Sequence, residues 1–193
     1  MFKIKQKIVL ASRSPRRKEL LRALGLRFQV RASSFEEIDT HESPEKVALH
    51  NACGKAFEVA SLYKDVIVIG VDTVGAIGRH VFGKPKNDAD ARRILKILSG
   101  KTHEVISALC VLDTRTRKKY TAIEKTKVTF AKMSREDISA YVSSGEQKDK
   151  AAAFAIQGKG ALFIKKIDGD YFNVVGLPIF KLGRILKKIS GLK

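Results

Sequence analysis

Asp72 stands at the end of the apolar run Val66-Ile67-Val68-Ile69-Gly70-Val71. A run of that kind reads as a strand buried on both faces. In open α/β sheets ligands collect beyond the carboxyl ends of such strands, so an acid there is a leading catalytic candidate. Further along, Gly83-Lys84-Pro85 supplies a cation just ahead of a helix start, and Leu10-Ala11-Ser12-Arg13-Ser14-Pro15-Arg16-Arg17 supplies more. Pro15 opens a helix, which puts Arg16 and Arg17 in a first turn that is already positive through its unpaired N–H groups. Cations there carry the wrong sign, at a cost of about 0.3 to 1 kcal/mol each. An anion docked at that terminus reverses the sign, and the Ser12 and Ser14 hydroxyls add donors to it; otherwise the arginines point away into solvent. Lys55 falls on the stripe 48, 52, 55, 59 of a helix, where it either snorkels to the edge or reaches a buried anion. Together these residues describe a polyanion site with one acid in it.

The elements that must position them follow from local signals. Ile8 to Ala11 reads as a short strand, and Ser14 caps a helix bearing Leu20, Leu21 and Leu24 that Gly25 ends. A second helix starts at Ser43-Pro44 and runs toward Tyr63, followed by the strand that ends at Asp72. Asn87 or Asp88 caps a helix with Ala91, Ile94, Leu95 and Leu98, stopped by Gly100. Val105 to Leu112 and Tyr120 to Phe130 form a hairpin, and Ser134 with Asp137 opens a short helix ending at Gly145. Ala161 to Ile167 and Tyr171 to Val175 flank Asp168-Gly169 as a second hairpin, and Pro178 opens a C-terminal helix. Helices interleaved with crossover strands and hairpins predict an α/β class with a mixed sheet.

A chain of 193 residues is expected to form one domain, residues 1–193, around one core. The apolar run after the basic start is too short for a signal segment, and nothing approaches a membrane span, so a cytoplasmic location is expected. Cys53 and Cys110 make neither a metal spacing nor a disulfide framework and read as buried thiols. The net charge is +18, and residues 1 to 31 alone carry ten Lys/Arg against one Glu. Such a field attracts a nucleotide triphosphate or nucleic acid. A nucleic-acid module should interleave aromatic groups with its cations, yet Phe2 and Phe28 are the only aromatics in those residues and the last thirteen have none.

Six segments in order, LASRSPRRKELL (Leu10 to Leu21), IGVDT (Ile69 to Thr73), GKP, LSGKTHEV (Leu98 to Val105), DKAAAFAIQG (Asp149 to Gly158) and GDYFNVVGLP (Gly169 to Pro178), resemble the motifs of the Maf family of nucleoside triphosphate pyrophosphatases. The likeness covers nearly the whole chain and implies a mixed sheet flanked by helices, of the ITP-pyrophosphatase kind. It implies attack of water on an α-phosphorus, with pyrophosphate and a nucleoside monophosphate as products. Asp72 is then the general base, Glu36 and Asp72 hold Mg²⁺ or Mn²⁺, and Ser12, Arg16, Lys55, Thr73 and Lys84 bind substrate. Gln157, in the IQG form of its motif, implies the subgroup acting on dTTP and UTP. An amide can donate to a pyrimidine carbonyl and accept from N3–H, whereas the subgroup acting on 7-methyl-GTP is expected to carry an acid there. A homodimer is expected from the family alone. Two departures stand out: the segment Val74-Gly75-Ala76-Ile77-Gly78-Arg79 carries an extra glycine where a β-branched residue is common, and DKAGAY has become DKAAAF, losing a glycine at Ala152 and a hydroxyl at Phe154. The competing readings are a 7-methyl-GTP pyrophosphatase and a basic nucleic-acid-binding module without turnover.

Overall fold

A computed structural model describes residues 4–38 and 42–191, so Phe2 lies outside the described residues. The chain runs β1 (Lys7–Leu10), α1 (Pro15–Ala23), β2 (Phe28–Val30), α2 (Pro44–Ala60), β3 (Val66–Ile77), β4 (His80–Phe82), α3 (Asp88–Leu98), β5 (Thr102–Asp113), β6 (Lys118–Phe130), α4 (Arg135–Ser143), β7 (Ile164–Asp168), α5 (Tyr171–Val175) and α6 (Ile179–Ile189), with 3₁₀ turns at Ala151–Ala153 and Lys159–Phe163. The strands form one mixed sheet in the order β2-β1-β3-β5-β6-β7, with β4 added to the far half of β3. β1 is parallel to β2 and β3, and the remaining pairs are antiparallel. No helix among the described residues is long and apolar enough to cross a membrane.

β3 organises the molecule by its period of two. Val66, Val68, Val74 and Ala76 pack with Ala48, Ala52, Ala56 and Val59 of α2 on one face. Ile67, Ile69 and Val71 pack on the other with Leu21 of α1 and Leu182, Ile185 and Leu186 of α6. Each such side chain, fully removed from water, contributes about 1.5 to 3 kcal/mol. A third cluster joins Leu95 and Leu98 of α3 with Val128, Phe130, Tyr141 and Phe154. Close approach of α2 depends on Gly70, since a Cβ there would lie 2.3 Å from the Ala52 carbonyl oxygen. The sequence therefore seats α2 directly over the centre of β3.

The helix starts behave as their capping residues require. Ser14, Ser43 and Asn87 accept from backbone N–H groups three residues on, and Ser134 with Asp137 forms a reciprocal capping box. Two expectations need correction. β3 does not end at Asp72 but continues to Ile77, so Asp72 lies within it. The second hairpin is absent: β7 is a single edge strand on β6, and Tyr171–Val175 is helix α5. Its β-rich composition is overridden at both ends, where Asp170 accepts from Phe172 N–H and Gly176 closes the helix at φ 117°. Both thiols pack in the α2 layer, Cys110 buried and Cys53 half-buried. His103 is 2% exposed, with its ring centroid 5.3 Å from that of Phe154 and 5.4 Å from that of Phe130. Burial pulls its pKa down to about 4, which suits a neutral core residue.

Candidate active site

β1 ends at Leu10, opposite Ile69, and β4 does not begin to pair with β3 until Gly75. Between those points one edge of β3 is open. That gap lies beyond the carboxyl end of the parallel strand β1, and the cavity forms there, about 910 Å³ in volume. Alternation along β3 sends Asp72 toward α2 and Thr73 toward α1 and α5.

Asp72 is 4% exposed and doubly held. Lys55 Nζ donates to Oδ1 at 2.6 Å, and Asn51 Nδ2 donates to Oδ2 at 3.3 Å. Asn51 and Lys55 stand one helical turn apart on α2, so both reach the same carboxylate. Lys55 also meets Glu37 Oε1 at 2.7 Å, and Lys84 Nζ reaches that same oxygen at 3.4 Å. Burial alone would raise the Glu37 pKa; the bonds from Lys55 and then Lys84 outweigh it and hold the carboxyl below its usual range. Asn51 fixes the loop that carries Glu37, accepting from Ile38 N at 2.9 Å and donating to Ile38 O at 3.2 Å. Upstream, Glu58 anchors the same loop, accepting from the Ser33 and Ser34 hydroxyls and from Phe35 N.

On the Thr73 side the donors of Arg17 are nearly used up. Nε donates to Gly176 O at 2.8 Å, Nη1 to Ser12 Oγ and Val71 O at 3.0 Å each, and Nη2 to Thr73 Oγ1 at 3.1 Å. Thr73 Oγ1 in turn lies 2.9 Å from Ser107 Oγ. Arg17 thus ties the start of α1 to the open edge of β3 and to the end of α5. Arg16, one residue earlier, spends only Nε, on Val175 O at 3.3 Å, among the bonds of the described residues. Burial lowers its pKa against the opposing pull of Glu19 and Asp149. Its remaining guanidinium donors line the cavity beside the first turn of α1, where an anion is favoured.

Of the residues expected from sequence, Ser12, Arg16, Lys55, Asp72, Thr73 and Lys84 line one cavity, and Glu36 and Gln157 do not. Glu36 is exposed. Glu37 is exposed as well, but it is Glu37 and not Glu36 that lines the cavity and meets Lys55 and Lys84, its loop held by the bonds between Ile38 and Asn51. Gln157 is exposed too, although its neighbour Ile156 lines the cavity. Gly158, at φ 107°, turns the chain away just past Gln157, and Glu146 secures the turn by accepting from Lys159 N at 2.8 Å and Gly160 N at 3.0 Å. Asn51 is the site residue that the sequence reading does not name, although it shares the inward stripe of Lys55 at a spacing of i, i+4; Arg17, read there as a cation for an anion, is spent on protein acceptors instead.

Comparison with known proteins supplies the family. A family model described as Maf-like protein matches residues 7–189. The chain belongs to the Maf-like protein family. A dTTP/UTP pyrophosphatase of Alkaliphilus oremlandii is 49% identical, over 94% of this chain and 95% of its own length. Proteins of the same name from Methanosarcina barkeri and Dictyoglomus thermophilum are 48% and 44% identical over 95% and 97% of the chain, and over 94% and 98% of their own lengths. Among solved structures, a HAM1 protein from Coxiella burnetii matches with a TM-score of 0.50 at 18% identity, covering 95% of this chain and 99% of that one, a likeness of fold alone. The two departures from the family motifs meet in space. A Cβ on Gly75 would lie 2.6 Å from Ala152 Cβ, so the glycine at 75 leaves room for the methyl at 152.

Proposed function

We propose that the chain hydrolyses dTTP and UTP to the monophosphate and pyrophosphate at this cavity. The observation that carries the reading is the convergence of the Asp72 and Glu37 carboxylates on Lys55, in a cavity otherwise lined by Arg16, Lys84 and the positive end of α1. The identity of 44–49% to three pyrophosphatases of that name supports the choice of bases.

Asp72 takes the proton of the attacking water as its oxygen bonds to the α-phosphorus, and the bond from that phosphorus to the bridging oxygen breaks. Arg16 and Lys84 meet the charge that grows on departing pyrophosphate. Arg17 holds Ser12 and Thr73 where their hydroxyls can orient the phosphates, and Asn51 keeps Asp72 and the Glu37 loop in register. Hard cations such as Mg²⁺ or Mn²⁺ prefer oxygen donors, so Asp72 and Glu37 would hold such an ion. Among the described residues no third His, Cys, Asp or Glu joins them. When bound, such an ion supplies Lewis-acid neutralisation of the phosphates. Such substrates place the protein with the nucleotide pool, in the cytoplasm.

The test is a panel of dTTP, UTP, 7-methyl-GTP and the canonical purine triphosphates, assayed for pyrophosphate release with Mg²⁺ and with Mn²⁺. The reading expects the highest kcat/KM for dTTP and UTP. A preference for 7-methyl-GTP overturns the base assignment alone, and absence of release from every triphosphate overturns the enzyme.

A further inference from the structure

Lys55 occupies the place between the two carboxylates. Its ammonium is within 2.7 Å of both Asp72 Oδ1 and Glu37 Oε1, and its side chain is 10% exposed. Both oxygens therefore lie within reach of one small cation, and in the free protein that cation is the lysine itself. A divalent ion of the size of Mg²⁺ contacting both oxygens at about 2.0 to 2.1 Å would be pressed against the ammonium, and like charges at such range repel strongly in a partly desolvated site. Glu37 also draws Lys84, so one carboxylate engages two of the cations that face the cavity. The side chain of Lys55 has four flexible carbons and an open cavity to move into, where a triphosphate offers it new oxygens.

On the metal reading given above, we propose that Lys55 is a resident counter-ion that a divalent cation replaces only when nucleotide phosphate draws the lysine away. The free protein then binds metal weakly, and metal and nucleotide enter as partners. Lys55 holds the two acids close together while the site waits, and afterwards serves as a phosphate ligand.

Mn²⁺ binding to the full chain, followed by electron paramagnetic resonance and calorimetry without nucleotide, tests this directly. Lys55→Met and the milder Lys55→Gln, which keeps a donor for one carboxylate and protects folding, should each bind one Mn²⁺ about tenfold or more tightly than wild type. Adding Glu37→Gln to Lys55→Gln should abolish the gain. Wild type binding Mn²⁺ as tightly as both variants overturns the inference while leaving the metal reading intact. If no form binds Mn²⁺, even beside a non-hydrolysable dTTP analogue, the metal reading itself fails and the inference with it.

Discussion

Two walls of the cavity are built by different means. One is β3 with α2, where Asp72, Asn51 and Lys55 take their directions from strand and helix periodicity. The other is the loop wall from Asp149 to Ile156, whose backbone stands left-handed at Asp149, Ala152 and Ala153, residues that carry a Cβ. Side chains on the first wall are aimed by their own neighbours in sequence. Those on the second, and on the Ser33–Ile38 loop, are aimed by groups outside their own segment, such as Tyr141 and Gly83 for the former and Asn51 and Glu58 for the latter. Chemistry carried by periodic elements thus tolerates drift in loops, and the loops supply what the elements lack.

The largest effect should come from the first wall. Asp72→Asn keeps the shape of the side chain but cannot accept a proton, so kcat should fall about 10²- to 10⁴-fold. The melting temperature should change little, because Lys55 retains Glu37. Turnover within about threefold of wild type would break the assignment of Asp72.

The loops are probed by a matched pair. Glu37→Gln should lower kcat/KM by about 10- to 100-fold, the equivalent of one lost charge-assisted contact, and Glu36→Gln should stay within about twofold. Steady-state kinetics of both variants decide which acid faces the cavity; a larger loss for Glu36 would reverse the loop. Among the cations, Arg16→Ala should cost about 10- to 100-fold in kcat/KM, and half-exposed Lys84 about tenfold or less. Urea midpoints should barely move for either, since Lys84 holds only an exposed pair with Glu37 and Arg16 a single long bond to Val175 O. Unfolding with intact kinetics would make that residue structural.

Legibility followed the same division. Asp72 and Lys55 could be placed from the run Val66–Val71 and the stripe 48, 52, 55, 59, because burial with a fixed period leaves one direction open. The open edge of β3 could not, since it depends on where β1 stops and β4 begins to pair. For the doublet Glu36-Glu37 a loop has no period to break the tie, and the decision falls to Asn51 across the fold. The direction of Gln157 was no easier to read, being set by Glu146 and a left-handed Gly158. α5 read as a strand because composition was weighed above the cap at Asp170.

The smallest effect lies where the two walls touch. Gly75→Ala forces two methyl carbons together and should destabilise by about 1 to 3 kcal/mol. Ala152→Gly relieves a left-handed alanine but loosens the loop, a net change of about 1 kcal/mol or less. The double variant should recover most of the Gly75→Ala loss, a coupling that urea denaturation of all four proteins measures. Additive effects would separate the two walls.

On the proposed reading, Asp72 delivers water to the α-phosphorus of a triphosphate held by this cavity. Hydrolysis of dTTP in water enriched in oxygen-18, with the products weighed by mass spectrometry, tests it most directly. The account predicts the label in the nucleoside monophosphate and none in pyrophosphate. Label in pyrophosphate, or products consisting of the diphosphate and inorganic phosphate, would contradict it.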